Sequence, residues 1–218
     1  MPDADSPRET PLSRSLRRPG RRADPRDVYE LALKKWMEGE RIDVGALAKE
    51  LGVGRATVFR WIGSRELLLG EVIWSVLSTT QQHVLAAAKG EGADFAADMS
   101  YRLMELLLQS EALRQFIAQD AEYALKLLTS KDSTVQNRAV QFVIKLLREN
   151  AEADGRGFAI EIDALAFIIV RIVESCIYSD QITGRKPDIR TASDAIRILV
   201  SARVDHPANK KRKRRQAS

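Results

Sequence analysis

The chain has little of what metal and redox chemistry needs. Its 218 residues include one cysteine, Cys176, and two histidines, His83 and His206. A lone cysteine forbids an intrachain disulfide and a cysteine-based zinc cluster. Two histidines leave little material for a histidine metal site or a catalytic dyad. Long apolar runs are also missing. The longest covers residues 164–170, far short of the roughly 20 residues a membrane helix needs. The N-terminus lacks the apolar core of a signal peptide, so a cytoplasmic location and no membrane partner are expected. No phosphate loop, GxSxG or HExxH occurs, and the acids Glu161 and Asp163 fall on opposite faces of a helix. The chain is therefore not expected to be an enzyme, and no catalytic residue, metal or cofactor is assigned.

What is present is a 44% apolar chain long enough for a real core. Its charge is unevenly spread. Residues 1–65 carry 14 basic and 10 acidic side chains, residues 66–205 carry 15 and 20, and residues 206–218 carry 6 and none. A basic head, an acidic body and a basic tail suit a protein that sets its head on phosphates.

Residues 43–61, DVGALAKELGVGRATVFRW, have the pattern of a helix-turn-helix. Asp43 is an N-cap. Val44, Leu47, Ala48 and Leu51 make one face of a short helix. Gly52 suits the left-handed turn, and Ala48 is small where two helices must approach steeply. A second helix starts at Arg55, with Val58 and Trp61 inward and Arg55, Thr57, Phe59 and Arg60 more exposed. Before it, residues 27–38 carry the stripe Val28, Leu31, Ala32 and Trp36. After it, Gly63 breaks the helix and Ser64 caps another that runs towards residue 88.

The rest is helical by periodicity: residues 94–109; residues 111–128 with an irregularity near Asp120; residues 134–149; residues 158–178, the most apolar; and residues 188–204. Residues 1–25 lack apolar periodicity and are expected to be a disordered arm. Their arginines, from Arg14 to Arg22, either stay solvated or follow a DNA backbone or minor groove. Residues 206–218 contain KKRKRR, either a solvated tail or a sequence-independent duplex binder. A nuclear-localisation reading fits only its composition.

Trp36, Val44–Leu47–Ala48, Gly52–Val53, Thr57–Val58–Phe59 and Ile62–Gly63–Ser64–Arg65–Glu66–Leu67–Leu68 resemble the N-terminal domain of TetR-family transcriptional regulators. The resemblance covers roughly residues 26–72. It departs at Gly54, Phe59, Ile62 and Arg65, where the family usually has Ser, Tyr, an aromatic and Lys. It implies an all-α fold: a three-helix helix-turn-helix head (residues 26–65) on a larger helical body (residues 66–205) that binds an effector and dimerises. Candidate DNA contacts are Gly54, Arg55, Ala56, Thr57, Phe59, Arg60 and Arg65. Arg55 is the expected base reader and Thr57, Arg60 and Arg65 the expected phosphate ligands.

The same resemblance places an effector pocket in the body. Its candidates are Trp74, Met99, Met104, Phe116, Tyr123, Asn137, Gln141 and Phe142. Their apolar bias suggests an uncharged or amphipathic ligand, such as an acyl chain or lactone. The family dimerises through its last two body helices, which implies an interface at Phe167, Ile169, Arg171, Ile196, Leu199 and Val200. Arg171 and Glu174 lie three apart on one face; they are an interface pair, a pocket polar group or an exposed edge. The expected function is a ligand-responsive dimeric regulator of double-stranded operator DNA, a repressor released by its effector. The alternative is a DNA-coating protein with neither effector nor sequence preference.

Overall fold

The computed structural model describes residues 23–130 and 133–204. Among these lie ten helices and one pair of two-residue strands. The head is built from α1 (Pro25–Met37), α2 (Val44–Glu50) and α3 (Arg55–Ile62). α1 starts two residues before the periodicity suggests. The Asp24 carboxylate accepts from the backbone of Arg26 and Asp27, the Asp27 carboxylate accepts from the Asp24 amide at 2.7 Å, and Pro25 needs no amide partner at the first helical position. Pro25 thus belongs to α1 and not to the arm; residues 1–22 and 205–218 lie outside the described residues. Asp43 caps α2 by accepting from the Ala46 amide at 2.7 Å. Gly52 then turns the chain at a φ of 66°, a left-handed conformation that glycine adopts without strain.

Ser64 caps α4 (Arg65–Ala87), its hydroxyl accepting from the Leu67 amide at 3.1 Å. The body adds α5 (Gly92–Gln109), α6 (Glu111–Gln119), α7 (Ala121–Thr129), α8 (Thr134–Asp154), α9 (Ile162–Thr183) and α10 (Ile189–Ser201). The segment expected as one helix with an irregularity near Asp120 is two. Asp120 leaves helical geometry with φ −162°, and its carboxylate accepts from the Tyr123 amide at 2.9 Å to start α7. A second correction concerns the ends of α9 and α10. β1 (Gly157–Phe158) pairs antiparallel with β2 (Arg203–Val204), Gly157 opposite Val204 and Phe158 opposite Arg203. The Arg203 guanidinium sits 3.9 Å from the Phe158 ring centroid and fixes this strap. Phe158 therefore precedes α9, and Arg203 and Val204 follow α10.

Two apolar cores result. The first joins Val28, Ala32, Trp36, Leu47 and Val58 of the head to Leu69 and Val72 of α4, Leu113 and Ile117 of α6, Leu128 of α7, Val135 of α8 and Tyr178 of α9. Packing is thus continuous across the 65/66 boundary between head and body. The second holds Ile144, Leu147, Phe158, Leu165, Ala166, Ile169, Ile196 and Val200. α4 crosses α8 closely at Gly70, where a Cβ would lie 2.5 Å from the Thr134 hydroxyl oxygen. No described helix is long and apolar enough to cross a membrane.

Candidate nucleic-acid interface and internal cavity

α3 presents one exposed face because Val58, fully buried, holds the opposite face in the head core. Arg55, Ala56, Phe59 and Arg60 are exposed, Thr57 is half-buried, and Gly54 is the exposed N-cap with no side chain over the helix start. Arg55 and Phe59 are four apart, and the guanidinium lies 5.9 Å from the ring centroid. The Phe59 ring thus props the arginine at the start of the helix.

Arg65 is different from the rest of the candidate set. Its Nε donates to the Ile42 carbonyl at 2.8 Å, and its guanidinium stacks 4.9 Å from the Tyr123 ring centroid. The structure turns it inward, between head and body.

Between the two cores lies a cavity of about 170 Å³. Of the residues expected there, Met99 and Phe142 line it. The others do not. Met104 is fully buried in packed side chains. Trp74 lies 5.7 Å under the Arg138 guanidinium, which also donates to Glu71 at 2.9 Å. Phe116 packs between Trp36 and Tyr123. Asn137 and Gln141 are exposed on the far side of α8 from its apolar stripe. Residue type suggested these positions, but the side of each helix that faces the void decides membership. Reasoning from sequence overlooked Trp36, which reaches the wall from the head, and Gln81 of α4. A signal existed for Gln81: it is a polar residue in the apolar stripe of Ile73, Leu77 and Val84.

Among the described residues, one carboxylate or base stands on the cavity wall, Glu174, with the phenol of Tyr178 one turn on. Glu174 ion-pairs with Arg171. Burial nevertheless pushes its carboxyl up to about 7, outweighing the attraction of Arg171. Arg171 Nε has no hydrogen bond of its own among the described residues. The Gln136 amide, oriented to satisfy both ends, donates to the Thr129 and Ser130 carbonyls at 2.6 and 3.1 Å and accepts from Arg171 at 2.6 Å. The Arg171–Glu174 pair thus borders the cavity from α9.

The expected dimer surface divides as well. Ile169, Ile196 and Val200 are buried in the protomer's own second core, which corrects their assignment to a surface. The apolar side chains left open on α9 and α10 include Phe167, 48% exposed, and Ile198, 69% exposed. Leu199 is half-buried, and the Arg171 guanidinium stacks 5.4 Å from the Phe167 ring centroid.

Residues 91–201 match the family model described as the tetracyclin repressor-like C-terminal domain. Among solved structures, the transcriptional repressor QsdR of the TetR family from R. erythropolis superposes with a TM-score of 0.75 at 26% identity, over 84% of this chain and 96% of that one. A putative TetR family transcription regulator from Shewanella sp. PV-4 gives 0.48 at 16% identity, over 84% of this chain and 100% of that one. No curated protein matches the chain.

Proposed function

The chain belongs to the TetR family of transcriptional regulators, and on that premise we propose that it is a homodimeric repressor released from its operator by a small uncharged or amphipathic effector. One observation carries the proposal: Trp36, in the last turn of head helix α1, forms part of the wall of the body cavity. A ligand that fills the cavity touches the head directly. It favours one head orientation over another by its differential contact with Trp36, and that difference is the coupling free energy between the two sites.

α3 enters the major groove with Arg55 and Ala56 towards base edges, and with Gly54, Thr57, Phe59 and Arg60 along the backbone. Two copies meet through the apolar strip of Phe167 and Ile198 on α9 and α10, which sets the spacing of the two α3 helices. An effector that changes that spacing takes one helix out of register with its half-site.

The test is footprinting of the DNA upstream of the protein's own gene. Two protected half-sites about one helical turn apart are expected. So is loss of protection with one member of a panel of neutral lipophilic compounds. Equal protection of random DNA, insensitive to every compound, would favour an effector-independent coating protein instead.

A further inference from the structure

Gln81 has no structural task that the fold explains. It lies on α4 in register with the apolar residues Leu77 and Val84, is 3% exposed, and lines the cavity. Among the described residues its side-chain amide takes no hydrogen bond. An amide in an apolar wall is disfavoured against an apolar side chain of the same shape unless something in the cavity bonds to it. The fold's own packing would be served as well by leucine or methionine at this position.

The charge on the wall narrows what can meet it. Among the described residues Glu174 is the one carboxylate or base there, and Arg171 already serves as its counter-ion. An anionic ligand would set a second negative charge beside Glu174 in dry surroundings. A cationic one would compete with Arg171 for a carboxylate and bring its own desolvation cost. Size narrows it further, because about 170 Å³ is close to the ~150 Å³ of an engineered apolar cavity that admits benzene.

We propose that Gln81 is the polar anchor of the effector, and that the effector is a compact, uncharged molecule whose head carries a carbonyl beside an N–H or O–H. The carbonyl accepts from the Gln81 amide nitrogen while the head's N–H or O–H donates to the amide oxygen. The apolar body lies against Met99, Leu103 and Phe142. This inference rests on the effector reading above and specifies its ligand.

The experiment uses the full chain and four probes by titration calorimetry at pH 7.5: hexanamide, hexanoate, hexylammonium and toluene. Hexanamide should bind at least about tenfold more tightly than either charged analogue. Gln81→Leu should weaken hexanamide about tenfold, the loss expected for one buried polar contact, and should leave toluene unchanged. Gln81→Met, closer in volume, gives the same pattern if leucine perturbs packing. Hexanamide binding equally to wild type and to both variants overturns the anchor. So does equal binding of hexanoate, or no binding of hexanamide at millimolar concentration. Operator release is scored separately. If hexanamide binds through Gln81 without releasing DNA, the anchor stands and the effector reading fails. If it releases DNA with unchanged strength from the Gln81→Leu protein, the effector reading stands and the anchor fails.

Discussion

The rings of Trp36 and Phe116 meet with centroids 5.1 Å apart and planes tilted by 56°. Trp36 belongs to the head and Phe116 to α6 of the body. The contact continues from Phe116 to Tyr123 at 6.2 Å, and from Tyr123 to Arg65 and Glu66, its hydroxyl donating to the Glu66 carboxylate at 3.2 Å. An aromatic chain thus links the cavity wall to the residues just behind α3. Phe116→Leu should lower stability by about 1–2 kcal/mol, mostly through the lost ring contacts. It should leave effector-free operator binding intact and shrink the response to effector. Urea denaturation and operator titration with and without ligand check the two halves.

The proposed docking of α3 bears on sequence preference. Arg55→Ala should cost about 1–3 kcal/mol per half-site and relax preference at one base pair. Selection from a randomised operator checks it. If the variant keeps the wild-type preference and only binds more weakly, Arg55 is not the reading residue. Arg65→Ala should leave preference unchanged and instead lower stability by about 1–2 kcal/mol, through its lost bond to Ile42 and its lost stacking on Tyr123.

Glu174 makes stability depend on pH in a stated direction. Its carboxyl titrates at about 7 when folded, above the usual carboxylate range near 4.5. Between those values the folded chain holds a proton that the unfolded chain has released. The stability from this group is therefore complete below about pH 4.5 and is lost as pH rises through 7, by at most about 3 kcal/mol. Glu174→Gln should flatten that slope. Urea midpoints at pH 5, 6, 7 and 8 decide it, and an unchanged slope in the variant would assign the effect elsewhere.

Association and folding should separate on α9. Phe167→Asp places a charge on an exposed apolar strip, so it should yield a folded monomer by sedimentation. Ile169→Asp places the charge in the protomer's own core, so it should cost several kcal/mol and unfold the chain. A wild-type monomer would end the dimer proposal.

The basic tail departs from an informative place. Val204 lies in the strap beside the end of α8, whose other end crosses α4 near Gly70. At about 1.5 Å per residue, the 21 residues of α8 span about 30 Å. Removing residues 206–218 should weaken cognate and random duplexes alike and reduce the salt slope by up to about 5, the share of six phosphate contacts. An identical slope after truncation would leave the tail as a solvated appendage.

Sequence by itself determined what is local in this chain. Asp43, Ser64, Ser110, Ser133 and Asp188 each cap a helix with their own side chain, and each is readable from a polar residue ahead of an apolar period. The helix-turn-helix was legible for the same reason, because Gly52 and the spacing around it are set by backbone sterics over a few residues. Periodicity also located α5, α8 and α9 as helices. It could not say what lies opposite a buried face. Met99 and Met104 share α5, yet one borders the void and the other is packed solid. Ile169 and Phe167 sit two apart in one apolar run, yet one belongs to the core and the other to the surface. Arg65 reads as a surface cation in the sequence, yet it reaches the Ile42 carbonyl and the Tyr123 ring. Only the tertiary structure decided these, because a cavity, an interface or an inward-turned cation is defined by which distant helix arrives, and packing of distant elements leaves no period in the sequence.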